Sequence, residues 1–190
     1  MNYYKKKIQK YFKDYKNIFY PTKEIISNML KFIDLLNINY LNNKKVIIFG
    51  NGGSSYIAGH FSLDLTNKSK IRCVNFNDPG LITCFANDYG YENWIIKALE
   101  AYGNRDDILV LISSKGESLN MLNACKYAKK KKFSSIITFT GFSNKNSLSK
   151  FSDINFWVNS KNYNHIENTH QLWLLSITDF LSKKIIHNPL

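Results

Sequence analysis

The chain has 190 residues and a formal charge of +12, from 26 basic side chains against 14 acidic ones. That length holds one α/β domain with a sizeable core and excludes two domains of ordinary size. Three isolated cysteines, Cys73, Cys84 and Cys125, exclude a disulfide framework and a thiolate zinc site, and no apolar run reaches bilayer length. The N-terminus MNYYKKKIQKYF carries basic residues with no apolar stretch behind them, so no secretory leader is read there. The expected setting is a reducing cytoplasm with no membrane partner. Positive charge also suits nucleic acid. Here nearly all of it is Lys, with Arg only at Arg72 and Arg105 beside abundant Asn, Ile and Tyr. That bias matches an AT-rich genome, and it argues little for a nucleic-acid partner.

From Asn2 to about Asn17 the aromatics and Ile8 recur at helical spacing among lysines, which predicts an amphipathic helix with a wet basic face. Pro21 ends it or starts the next element, a second helix whose stripe runs through Ile25, Met29, Phe32, Ile33 and Leu36. Residues 1–42 form a helical extension to a single domain of residues 1–190. Beyond it, strands are predicted at Val46–Phe49, Ile71–Phe76, Ile108–Ile112, Ser135–Phe139 and Ile154–Val158, as continuous apolar runs suited to parallel strands covered on both faces. Helices are predicted near Ser54–Thr66, Gly80–Ala86, Glu92–Ala101, Ser118–Lys131 and Ser147–Phe151, with a last one from Asn164 to Ile186. The alternation gives the fold class: an α/β, flavodoxin-like three-layer sandwich with a five-stranded parallel sheet.

Two strand-to-helix loops carry the chemistry. The first, Gly50-Asn51-Gly52-Gly53-Ser54, turns backbone N–H groups and a helix dipole toward one point, and its glycines let the chain pass close to an anion. It matches neither G-x-G-x-x-G nor a Walker loop, which argues against a nucleotide cofactor. The second runs Ser113-Ser114-Lys115-Gly116-Glu117-Ser118 and supplies three hydroxyls and an ammonium, a fair kit for a phosphomonoester. Either loop alone is also what a solvated turn with a Ser N-cap looks like. Two of them opening at the carboxyl ends of one parallel sheet point to phosphate. On the helix after the first loop, His60 and Asp64 stand at i and i+4 on one face.

These motifs, G-N-G-G-S followed by H-x-x-x-[DE], then N-D-Y-G-Y-E-N at Asn87–Asn93, then the Ser-rich loop, resemble the sugar isomerase (SIS) domain family, and within it the phosphoheptose isomerases. The resemblance spans nearly the whole chain. It implies a homotetramer built partly by the N-terminal helical pair, and a phosphorylated sugar as substrate. It implies that the phosphate is held by Ser113, Ser114, Lys115 and Ser118, and the sugar by Asn51, Gly52, Gly53 and Ser54, with Asn87 and Asp88 as a further pair. The reaction it implies is aldose–ketose interconversion through an enediol, D-sedoheptulose 7-phosphate to D-glycero-D-manno-heptose 7-phosphate, in heptose and surface polysaccharide synthesis. Asp64 takes the place of one acid/base carboxylate.

The last helix departs from the family. Against R-I-Q-E-x-H stands His165-Ile166-Glu167-Asn168-Thr169-His170, and Leu175 falls where the family keeps a catalytic, zinc-binding histidine. Leucine can neither move a proton nor bind a metal. Glu167 is then either the second acid/base group or, with His60 and Asp64, part of a His-plus-carboxylate set for a divalent metal, zinc by resemblance. His170 aligns with a different family histidine and is expected to pack or lie on the surface more than to act in the pocket. Lys115 and the loss of the last-helix histidine also occur in a non-catalytic branch that binds the bacterial replication initiator, whereas Asp64 and NDYGYEN are written as in the isomerases. Two readings follow: a phosphosugar isomerase, and a catalytically impaired sugar-phosphate-binding or protein-binding regulator.

Overall fold

The computed structural model describes residues 2–187, with side chains over 3–182; position 1 and the last three positions of the 1–190 domain lie outside the described residues. In chain order the elements are α1 (Asn2–Phe19), α2 (Lys23–Leu41), β1 (Val46–Gly50), α3 (Gly53–Asn67), β2 (Cys73–Asn75), α4 (Pro79–Tyr89), α5 (Trp94–Tyr102), β3 (Ile108–Ile112), α6 (Leu119–Lys130), β4 (Ser135–Thr140), β5 (Ile154–Trp157) and α7 (Tyr163–His187). The five strands form one sheet in the order β2-β1-β3-β4-β5, with every pairing parallel. This is the flavodoxin-like arrangement that the alternating runs predict.

Local chemistry sets the boundaries. Pro21 falls in the break between α1 and α2, and Thr22 caps α2 by accepting the Ile25 N–H. Asp78 caps α4 in the same way, with Pro79 at its first turn. The strand expected over Ile71–Phe76 shortens to Cys73–Asn75, because β2 is an edge strand with one neighbour to set its length. The helix expected over Ser147–Phe151 is a single 3-10 turn, Leu148–Lys150.

Each strand sends alternate residues to opposite faces, which is why its run is apolar throughout. Val46 and Ile48 of β1 join Val110 and Ile112 of β3 beneath α2, α3 and α7, where Phe32, Phe61, Leu65 and Ile177 are buried. Ile47 and Phe49 join Leu109 and Leu111 beneath α5 and α6, against Trp94, Leu99 and Met121. Each fully buried aromatic or branched side chain contributes about 2–3 kcal/mol. On the outside, α1 docks on α7: His165 packs against the rings of Tyr11 and Tyr15 at 4.3 and 5.2 Å, and the Trp173 indole donates to the Phe19 carbonyl.

Two consequences position the site. The chain leaves β1 toward β2 on one side and β3 toward β4 on the other, and Gly50 pairs level with Ile112, so the loops after β1 and β3 flank one crevice at the topological switch point. Helices α3 and α7 run side by side in the same direction: Glu167 lies against Gly53, Gln171 beside His60, and Thr178 beside Ser69.

Candidate active site

The first loop depends on three glycines. A Cβ on Gly50 would collide with the Ser54 carbonyl, Gly52 takes φ +52°, and a Cβ on Gly53 would meet the Glu167 carboxylate at 2.5 Å. The Ser54 and Ser55 N–H groups turn back onto the Asn51 and Gly52 carbonyls, leaving the exposed Gly52 and Gly53 amides as those a ligand can use. Ser54 itself is buried beneath the loop. Glu167 is half-buried, and desolvation raises its carboxyl above the usual range. A carboxyl tuned upward beside a helix N-terminus is suited to taking and returning a proton.

The second loop is braced from both sides. Gly116 takes φ +69° against Asn146, where a side chain would collide, and its carbonyl accepts from the Leu148 N–H. The Gly141 N–H donates to the Ser114 carbonyl, and Glu117 accepts from the Ser147 N–H at 2.8 Å. The side-chain and backbone bonds to Ser147 hold the Glu117 carboxyl below its ordinary range. Within this frame the Ser113 and Ser118 hydroxyls lie 3.3 Å apart, Ser113 and Ser114 are buried, and the exposed Lys115 ammonium stands 5.8 Å from the Phe142 ring centre and 5.7 Å from that of Tyr163. Among the described residues Lys115 has no carboxylate partner, so its charge is available to an anion.

An amide pair joins the loops. Asn51 and Asn120 exchange two hydrogen bonds, at 3.1 and 2.9 Å, and the Tyr91 hydroxyl lies 3.1 Å from Asn51 Oδ1. Neither Asn120 nor Tyr91 is among the sequence-predicted site residues. Asn120 lies two positions past Ser118, at the start of α6, and Tyr91 belongs to the same NDYGYEN motif as Asn87 and Asp88. Asn87 and Asp88 themselves bond to each other at 2.9 Å and are exposed, and among the described residues neither makes a hydrogen bond to either loop.

The seam between α3 and α7 is different in kind. Asp64 is only 7 % exposed, yet one of its oxygens takes both the Lys68 ammonium at 2.8 Å and His60 Nε2 at 3.6 Å. The bond to Asp64 holds the Lys68 ammonium above its ordinary range. From Gly53, where Glu167 sits, α3 runs roughly 16 Å to Asp64 at about 1.5 Å per residue. The set His60, Asp64 and Glu167, expected as zinc ligands, is therefore not gathered. Among the described residues no three His, Cys, Asp or Glu side chains converge on a metal-sized point. With Leu175 one turn past Gln171 and an ammonium already on Asp64, the donors present in one chain do not fit a tetrahedral zinc. His170 is buried against Phe139, with Nε2 3.1 Å from the Thr140 carbonyl, and desolvation lowers its value from 6.5 to about 4. Of the expectations for His170, the structure shows the packed one.

Comparison with known proteins decides the family. The SIS domain family profile matches residues 10–141. The chain belongs to the SIS domain family. The matched stretch holds both loops and stops before α7, where the departures lie. Among curated relatives of this SIS domain, the phosphoheptose isomerase of Buchnera aphidicola subsp. Acyrthosiphon pisum is 34% identical over 168 residues, covering 83% of this chain and 86% of its own. That of Sulfurimonas denitrificans is 31% identical over 189 residues, 96% of this chain and 95% of its own. Among solved structures, a phosphoheptose isomerase from Francisella tularensis superposes with a TM-score of 0.81 at 28% identity, covering 94% of this chain and 97% of its own.

Proposed function

We propose that this SIS domain is a phosphosugar isomerase of the phosphoheptose isomerase type, acting on D-sedoheptulose 7-phosphate to give D-glycero-D-manno-heptose 7-phosphate for heptose and surface polysaccharide synthesis. The observation that carries the reading is the Ser113–Ser118 loop at the switch point, with two buried serines, a third hydroxyl and an ammonium that has no carboxylate partner among the described residues, facing a first loop whose Gly53 holds the Glu167 carboxyl. The phosphate sits on the serine hydroxyls and Lys115, and the sugar lies across the first loop. Glu167 takes a proton from the carbon beside the carbonyl and returns it to the neighbouring carbon. The Gly52 and Gly53 amides, at the N-terminus of α3, stabilise the enediolate oxygen between the two transfers.

Asp64, the second acid/base candidate, is out of reach within one chain. Asp64 lies roughly 16 Å down α3 from Gly53, where Glu167 sits, farther than the six carbon–carbon bonds of a heptose span at about 1.5 Å each. We therefore take the working unit to be a homo-oligomer, a tetramer by family resemblance, in which Asp64 of one copy approaches the loops of another. Two surfaces support association. Tyr4, Ile8 and Phe12 are exposed along α1, and a groove of about 410 Å³ between α2 and α7 is lined by Phe19, Ile26, Met29, Leu30 and Phe180. Among the described residues no helix is long and apolar enough to cross a membrane, so these faces are assigned to other copies of the chain.

The deciding experiment incubates pure protein with sedoheptulose 7-phosphate and follows the aldose product. Turnover is expected. Thermal stabilisation by the sugar phosphate with no turnover would sink the isomerase reading and leave the ligand-binding regulator.

A further inference from the structure

The hydrogen bonds around Asn51 form a chain in which each donor is dictated by the last. The Met121 N–H donates to Asn120 Oδ1 at 3.0 Å, which fixes the orientation of the Asn120 amide. That oxygen also accepts from Asn51 Nδ2 at 3.1 Å, so Asn120 Nδ2 must face Asn51 Oδ1, to which it donates at 2.9 Å. Asn51 Oδ1 is thus an acceptor, and the Tyr91 hydroxyl 3.1 Å from it can only donate. With its proton committed, the phenol turns lone pairs alone toward anything that approaches from the crevice. Asn120 is 2 % exposed and Tyr91 52 %, so the first is a fixed strut and the second is open to ligand.

From this we infer that Tyr91 is a specificity-determining residue that accepts a hydrogen bond from a sugar hydroxyl, and that Asn120 is a positioning residue which aims it through Asn51. The inference rests on the phosphosugar reading and deepens it. A lone-pair surface repels phosphate and welcomes a hydroxyl, so the crevice is polarised, with the anion at Ser113–Ser118 and the polyol at Tyr91. It also changes the role of Asn51: its carbonyl is used internally, and it holds the reader of the sugar in place.

Tyr91→Phe keeps the ring and removes the hydroxyl. Binding of sedoheptulose 7-phosphate and of inorganic phosphate is measured by calorimetry on wild type and variant. The sugar phosphate should weaken about tenfold, the loss of one hydrogen bond to a ligand, while inorganic phosphate stays within about twofold. Asn120→Leu should lose the same factor for the sugar phosphate alone, and the double variant should be no weaker than Asn120→Leu, because both changes remove one contact. Asn120→Asp, nearly the same shape but unable to donate to Asn51, should behave as Asn120→Leu does, which separates aiming from packing. Losses that multiply, or inorganic phosphate falling in step with the sugar phosphate, would overturn the assignment. A wild type that holds the sugar phosphate while Tyr91→Phe holds it equally well overturns this inference alone. A wild type that binds no sugar phosphate overturns it together with the isomerase reading.

Discussion

The crevice at the switch point and the Asp64 end of the seam between α3 and α7 are about three turns of helix apart, yet they are built on opposite plans. In the crevice, backbone geometry does the work: glycines at φ +52° and +69°, an amide pair, and a loop braced by Gly141 and Ser147 hold hydroxyls and an ammonium in place without self-neutralising. Along the seam the reactive side chains are spent on each other, with Asp64 held by Lys68 and His60, and the next turn of α7 closed by Leu175. A ligand site keeps its polar groups available, whereas a seam satisfies them internally. The difference teaches that the single chain is equipped to bind, and it is what the proposed oligomer has to complete, with Asp64 as the second proton-transfer group supplied by another copy.

The sharpest way to break that division is to disable each carboxylate separately. Asp64→Asn and Glu167→Gln should each lower turnover by about 10²–10⁴-fold, the usual worth of a positioned acid or base, with the fold kept. If the two groups that serve one site come from different copies, mixing the two dead variants under conditions that exchange subunits should restore activity, because some sites then hold an intact Asp64 and an intact Glu167. Recovery on mixing is the expected result. An unchanged rate in Asp64→Asn would remove that residue from the chemistry, and no recovery on mixing would place both groups in one chain.

Much of the crevice was legible in the sequence, because strand, glycine turn and helix follow one another within a few residues and their chemistry is local. The five parallel strands followed from the alternating apolar runs for the same reason. The tie from Asn120 to Asn51 spans 69 positions and was not legible: an Asn two residues into a helix looks like any other polar residue. Its signal was position, just past Ser118 at the N-terminus of α6, and Tyr91 was hidden behind the more polar Asn87 and Asp88 of its own motif. The zinc set is not gathered within one chain for a related reason. His60 and Asp64 are neighbours by helical periodicity, but placing Glu167 beside them required knowing how far α7 is shifted along α3, and the shift puts Glu167 at Gly53.

A second test acts on the brace of the crevice. His170 is buried neutral, with its ring bonded to the Thr140 carbonyl next to Gly141, which holds Ser114. Its value is lowered to about 4 by desolvation, so the unfolded chain takes up this proton more readily than the folded one. The stability it contributes is full above pH 6.5 and is lost as pH falls from 6.5 through about 4, with a size on the order of 3 kcal/mol. Thermal midpoints measured across that range should fall with acid in wild type and fall less in His170→Gln, which cannot charge but can still donate to Thr140 from the position of Nε2. Parallel slopes in the two proteins would show that His170 is not the group responsible.

The smallest effect expected concerns the seam and metal. Zinc needs three or four converging donors, and the seam offers His60 and an Asp64 already neutralised by an ammonium, so added zinc should leave the thermal midpoint of the wild type unchanged. The double variant Lys68→Met with Leu175→His removes the competing charge and adds a donor one turn past Gln171. It should acquire a zinc-dependent rise of about 2–4 °C, the response to roughly 1 kcal/mol of linkage in a chain of this size. A saturable zinc response in the wild type that disappears in His60→Ala would reverse the comparison, because the seam would then be a ligand site in its own right. If neither protein responds, then two helix faces with the correct residue types are still too far from a tetrahedron in one chain, and the geometry of α3 on α7, more than the loss of one histidine, is what closed this seam to metal.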